Sequence, residues 1–211
     1  MMGNHDKNQS VSQTLPLGEF DLIDRFFKQS QRGPSTTQNP WVQLGIGDDC
    51  ALLEGGWAIS TDMLVEGRHF LPNADPELLG HKCLAVNLSD LAAMGAKPIA
   101  FTLSLALPQA KADWLEGFSR GLLRLADQHQ CTLVGGDTTA GPLTISITVL
   151  GQVKPHLALA RNKAQVGDDV WVSHTLGDAR LALGYYRQEW ALSANELATV
   201  APRMHTPTPR V

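Results

Sequence analysis

The sequence predicts a mixed α/β (α+β) fold, and three observations carry that expectation. Stretches with apolar residues at every second position alternate with stretches spaced at 3.6, so strands and helices interleave along the chain. Gly- and Pro-rich segments punctuate them. With 211 residues, 43% of them hydrophobic, the chain can bury one substantial core, or one domain and the start of a second.

Residues 1–16 are polar and aperiodic and read as a flexible extension. The fold starts near Leu17, with residues 18–28 (GEFDLIDRFFK) placing Leu22, Ile23, Phe26 and Phe27 on one helical face before a loop at 31–40. Residues 57–62 read as a strand ending in polar residues. Residues 78–93 form a long helix stopped at Gly95, with Leu84, Leu88, Leu91 and Met94 as its core stripe. A strand at 99–107, an amphipathic helix at 114–130, a short strand at 132–134 and an alternating strand at 143–153 complete a first domain, 17–153. The chain then turns irregular over 154–167. A strand at 170–173, a turn at Gly177 and a helix over 179–190, capped by Asp178, begin a second domain, 154–211, that the last residues (RMHTPTPRV) leave incomplete.

A formal charge of −4, without a basic stripe, argues against a nucleic-acid partner. Cys50, Cys83 and Cys131 are odd in number, widely spaced and set among apolar residues, as reduced structural thiols are. No apolar run approaches the ~20 residues that span a bilayer, and no signal-peptide pattern opens the chain. The expected compartment is the cytoplasm.

Four acidic clusters stand beside glycine or at the ends of apolar segments: Gly47-Asp48-Asp49, Ser60-Thr61-Asp62, Asn87-Leu88-Ser89-Asp90 and Gly135-Gly136-Asp137-Thr138. Each taken alone could be an Asx turn or a helix cap. Their repetition points to several hard oxygen ligands converging on magnesium and its bound phosphates. Adjacent Asp48 and Asp49 repel each other and favour a cation. The glycines before Asp137 could turn backbone N–H groups toward phosphate. Neither GxxxxGK[ST] nor a helix-opening GxGxxG occurs, so a nucleotide site here is not of the P-loop or Rossmann kind. Arg68 and His69 could reach an anionic substrate, and Lys97 and Arg161 are further candidates for phosphate contact.

In order, LGIGDDCALL, AISTDMLVEGRHF, LAVNLSDLAAMGAKP and LVGGDTT resemble the thiamine-monophosphate kinases. The resemblance extends from about Gly18 to the end of the chain, through LALARNKAQVGDDVWVSHTLGD and RMHTPTPR. It implies a fold similar to aminoimidazole ribonucleotide synthetase, with an N-terminal α/β domain whose mixed sheet pairs in a homodimer. It implies Mg2+ ions held by Asp49, Ser60, Thr61, Asp62, Asp90 and Asp137, ATP touching Gly136, Asp137 and Arg161, and thiamine monophosphate contacting His69. It also implies an acidic DxSDG-type motif beyond Val211. The reaction is then transfer of the ATP γ-phosphate to an acceptor phosphate, through positioning and charge neutralisation. Two other readings are a sibling ATP-using synthetase, for which no cysteine lies in a glycine-rich N-terminal loop, and a cation-binding module whose dimerising sheet is its main business.

Overall fold

The computed structural model describes residues 17–28, 39–154 and 156–211. The expected N-terminal extension and most of the 31–40 loop lie outside the described residues. The chain divides into two units, Met1–Asn39 and Pro40–Val211. In the first, α1 (Glu19–Leu22) continues into a π-helical turn (Ile23–Phe27). That wider turn departs from the 3.6 spacing read in the sequence, and none of its residues is buried.

The second unit is built on a sheet of β1 (Val42–Leu44), β2 (Ala51–Leu53), β3 (Trp57–Val65), β4 (Lys97–Leu107), β5 (Thr132–Ala140) and β6 (Thr144–Gln152), in the order β1-β2-β3-β6-β4-β5. The central strands β3, β6 and β4 pair antiparallel. β4 and β5 run parallel and are joined through α3 (Ala112–Gln128), the long crossover that parallel neighbours require. Alternation decides the faces. Ala58, Leu64, Phe101, Leu105, Ile145, Ile147 and Val149 are buried beneath α2 (Pro76–Ala93) and α3, whereas Thr61, Met63 and Ser104 on the other face are exposed.

Helix α2 begins where Pro76 supplies a preset φ and the Asp75 carboxylate accepts the Leu78 N–H at 2.9 Å. It buries Leu79, Cys83, Leu84, Leu88 and Leu91, because the sheet lies on one side and α3 on the other. Three glycines permit that second contact. A Cβ at Gly80 would stand 2.1 Å from the Phe118 carbonyl oxygen, one at Gly121 1.8 Å from that of Glu77, and one at Gly117 2.9 Å from the Pro76 ring. Beyond the sheet, α4 (Asp178–Tyr186) and α5 (Ala194–His205) pack together around Ala182, Val200 and Met204, and a His81 ring nitrogen lies 3.0 Å from the Pro207 carbonyl oxygen.

Several expectations require correction. The GGDT segment lies inside β5, which runs well past Val134 because parallel pairing to β4 continues to Ala140. Residues 170–173 form no strand, as no neighbouring strand pairs with them, and Val170 and Trp171 are 94% and 88% exposed. Gly177 (φ 92°), not Asp178, is the N-cap of α4, and Asp178 is the first helical residue, accepting from Thr175 Oγ at 2.5 Å. That helix ends at Tyr186, and Trp190 folds back to donate its indole N–H to the Leu181 carbonyl. β1, β2 and α5 went unread; α5 opens with a capping box in which Ser193 and Glu196 satisfy each other's backbone N–H groups.

Two predictions follow from this packing. Gly121→Ala should cost at least about 1–3 kcal/mol, since its Cβ meets backbone that cannot swing away; an unchanged denaturation midpoint would contradict the close α2–α3 approach. The second concerns His205, half-buried against Tyr186 with ring centroids 5.2 Å apart. Burial first, and then the Lys82 ammonium, hold its pKa below the ordinary 6.5, with Asp75 opposing. A lowered pKa means the neutral ring stabilises the fold fully above pH 6.5 and that this contribution is lost as pH falls through the folded value. His205→Phe should therefore lose less melting temperature than the parent on acidification below pH 6.5, and identical profiles would remove His205 as the cause.

Candidate functional site

The C-terminal half of α2 is joined to β3 by two side chains three residues apart on one helix face. Ser60 Oγ donates to Asp90 Oδ2 at 2.7 Å, and the Asp62 N–H donates to Asn87 Oδ1 at 3.2 Å. Asn87 also donates through Nδ2 to the Cys83 carbonyl at 2.9 Å and is fully buried. The two periods match: residues 60 and 62 share a strand face, and residues 87 and 90 share a helix face. β2 pairs with β3 only as far as Ile59, so the polar half of β3 is held to α2 rather than to a second strand on that side.

A loop ahead of β2 adds two more carboxylates. Asp48 accepts the Asp49 N–H at 2.9 Å and the Arg161 N–H at 3.1 Å, tying its own turn to a one-turn 3₁₀ helix (Arg161–Lys163). The Arg161 guanidinium pairs with Asp49. Asp48 thus organises backbone while lying 3.9 Å from the Arg161 Nε, and Asp49 makes the closer pair with that guanidinium. Cys50 follows, buried, its thiol donating to the Asp90 carbonyl at 3.4 Å. Burial and then the charges of Asp90, Asp49 and Asp48 push that thiol up to about 12, and Cys83 and Cys131 are likewise buried and free. The Asp90 carboxyl is also held above its ordinary range, by burial first and by Asp62 and Asp49, against the lowering effects of Ser60 and Arg161.

Asp48, Asp49, Asp62, Asp90 and Ser60 therefore form one electronegative neighbourhood of hard oxygen donors, with Arg161 as its counter-charge. That donor chemistry fits magnesium. Among the described residues, no three His, Cys, Asp or Glu side chains are gathered closely enough to hold an ion as they stand.

The remaining expected residues lie elsewhere. Thr61 is on the opposite face of β3, its hydroxyl 2.8 Å from that of Thr148. Asp137 shares a register row with Ser104, Ser146 and Met63, which puts it on that same open face. It is three strands from β3, roughly 14 Å at ordinary strand spacing, and so cannot share an ion with Asp62 of its own chain. Gly136 precedes it at φ 152°, where a Cβ would stand 1.8 Å from the Leu103 carbonyl oxygen. A one-residue irregularity at Val134 comes just before. Engaged in the sheet, the GGDT segment forms no phosphate-cradling turn. His69 lies past the end of β3, accepting the Val65 N–H on Nδ1 at 3.0 Å, which leaves Nε2 as the donor of the neutral ring. Lys97 begins β4 beside a different cavity, with Gly55, Gly95 and Lys154.

From sequence alone, Asn87 belongs to an acidic cluster without a role of its own, and Cys50 reads only as a structural thiol. The signal for Asn87 was present: an amide one turn before Asp90 in a helix otherwise apolar on that side must find buried partners.

Residues 47–153 match the family described as AIR synthase related protein, N-terminal domain. Thiamine-monophosphate kinase of Haemophilus influenzae is 43% identical over 201 residues, 93% of this chain and 60% of its own length. The solved thiamine-monophosphate kinase of Stenotrophomonas maltophilia is 46% identical with a TM-score of 0.70, over 92% of this chain and 63% of that one. A solved complex of AaThiL with AMPPCP and TMP superposes with a TM-score of 0.80 at 33% identity, over 94% of this chain and 63% of that one. This chain thus spans about three fifths of the length of the kinases it matches. The family match covers half the chain and includes the strands and the helix that carry the acidic neighbourhood, so the chain belongs to the AIR synthase related family.

Proposed function

We propose that this chain is part of a cytoplasmic, homodimeric kinase that transfers the γ-phosphate of ATP to thiamine monophosphate, giving thiamine diphosphate. The observation that carries the reading is the seam of carboxylates between β3, α2 and the Asp48–Asp49 loop, answered by Arg161. Its similarity to thiamine-monophosphate kinases, one of them solved with AMPPCP and TMP, supports the choice of substrates. Bound magnesium ions would neutralise the phosphates of donor and acceptor, whose mutual repulsion is the main obstacle to the transfer.

In this reading Asp49, Ser60, Asp62 and Asp90 hold the metal. Asp90 and Asp62 would offer it oxygen ligands from helix and strand, with Asn87 tying the two elements together. Arg161, paired with Asp49 before nucleotide arrives, exchanges that carboxylate for the ATP phosphates and carries positive charge to them. His69 contacts the acceptor through its Nε2 donor. Asp137 and Thr61 lie on the open sheet face and serve the nucleotide and its metal from there, with Gly136 offering its backbone to the nucleotide beside Asp137. That face and the fully exposed β5 edge are the surfaces through which we propose the homodimer to form, since a long free edge is otherwise an aggregation site. The acceptor phosphate is largely anionic near neutrality, its second pKa being about 6, so no general base is assigned.

The test is direct measurement of thiamine diphosphate formed with ATP and magnesium, comparing thiamine monophosphate, aminoimidazole precursors and no acceptor. It is run on this chain and on a full-length relative. ATP turnover that leaves thiamine monophosphate unchanged in both would refute the kinase reading. Asp90→Asn keeps the Ser60 hydrogen bond and removes one charge from a repelling group. It should lower magnesium affinity at least about tenfold while raising the melting temperature of the metal-free chain, and a parallel fall in both would reduce Asp90 to a structural role. Asn87→Ala strips the acceptor from the Asp62 N–H and the donor from the Cys83 carbonyl and leaves a small cavity. It should cost about 2–4 kcal/mol of stability and weaken magnesium binding, though Asn87 touches no metal; magnesium affinity equal to the parent's would sever it from the site.

A further inference from the structure

A cavity of about 420 Å³ opens between the segment after β3, α2, α4 and α5, and its charged lining is entirely basic: Arg68, His69, Lys82, Arg180, Arg187 and Arg203. Four separate elements deliver these groups to one place in a chain whose formal charge is −4. Three arginines outside the cavity find carboxylates: Arg120 and Arg124 on Glu77, and Arg161 on Asp49. Of those in the cavity, Arg180 alone is so paired, with Glu189, and it stacks over Trp190 at 4.7 Å. Among the described residues, Arg68, Lys82, Arg187 and Arg203 have no carboxylate within ion-pair distance.

Lys82 and Arg203 are only partly exposed. The Lys82 ammonium donates to the His69 carbonyl at 3.1 Å, and burial pulls its pKa below the ordinary value. A half-buried cation without a counter-ion is costly, and an anion entering the cavity would offset that cost. Phe70, Leu71, Val86, Leu183 and Met204 supply an apolar wall. We propose that this cavity binds a phosphate ester with an apolar or aromatic body, its phosphate held by Lys82, Arg203 and Arg68 and its body against Phe70, Val86 and Leu183. The site is distinct from the carboxylate seam. Lys82 lies eight residues before Asp90 on α2, about 12 Å along the helix, and no metal is needed to hold the anion. It reaches His69, so its occupant would lie beside the proposed acceptor, yet its binding does not depend on phosphoryl transfer.

The experiment is calorimetric titration of the chain in EDTA, where the carboxylate seam repels anions and cannot contribute. Phenyl phosphate, inorganic phosphate and neutral phenol are the probes. Saturable binding of phenyl phosphate, tighter than inorganic phosphate and absent for phenol, is expected. Equal affinity for the two phosphates would keep the anion site and assign it to free phosphate. Lys82→Met and, separately, Arg203→Gln should each weaken binding by about tenfold or more, with the affinity falling as salt rises, while Arg120→Gln on the far surface of α3 leaves it unchanged. Two variants guard against misfolding of either one. Absence of saturable phosphate binding, or parental affinity in both cavity variants, overturns the proposal, whatever the fate of the kinase reading.

Discussion

Everything at the candidate site depends on where α2 lies against β3. Two hydrogen bonds, Ser60 to Asp90 and the Asp62 backbone to Asn87, define that seam, but neither could bring the helix to its position alone. Bulk packing does so. The helix is wedged between the sheet and α3, and Gly80, Gly117 and Gly121 allow α3 to press against it at backbone distance. With apolar residues filling both sides, the fully buried Asn87 has one arrangement that satisfies both ends of its amide. The carboxylates then inherit a fixed spacing.

The electrostatics run against the packing. Asp90 is half-buried beside Asp62 and Asp49, and both raise the cost of keeping it charged. Arg161 relieves part of that repulsion, while Asp48 holds the Asp49 and Arg161 backbone N–H groups in place. An arrangement that opposes its own ionised form costs stability, and the proposed cation would offset that cost.

The sequence was most informative where a single period governed a long segment. The α2 stripe of Leu84, Leu88, Leu91 and Met94 is fully buried as its spacing indicated, and the strands at β3, β4 and β6 follow their alternation. It was less informative for β1 and β2, three residues each, too short for any period to register. GGDT read as a turn because two glycines are a turn signal, whereas pairing with β4 and the close approach of Leu103 account for them inside a strand. Residues 170–173 have strand composition without a partner, and strand propensity expresses itself only in a sheet. For the site, residue types were legible and convergence was not. Asp49, Asp62, Asp90 and Arg161 meet, while Thr61 and Asp137 lie on the other side of the sheet, a separation fixed by parity and strand order that linear spacing does not encode.

That parity bears on how this chain can change over time. Ser60, Thr61 and Asp62 are consecutive, and β3 sends the first and third toward α2 and the second toward the open face, over an uninterrupted nine-residue pairing with β6. Gaining or losing one residue within β3 would exchange the two sets wholesale, burying Thr61 against the helix and turning both acidic-site residues outward. Substitution can therefore tune this strand one position at a time. A length change there would dismantle the whole seam in a single step, and length variation among descendants of such a chain is best tolerated in the turns around it.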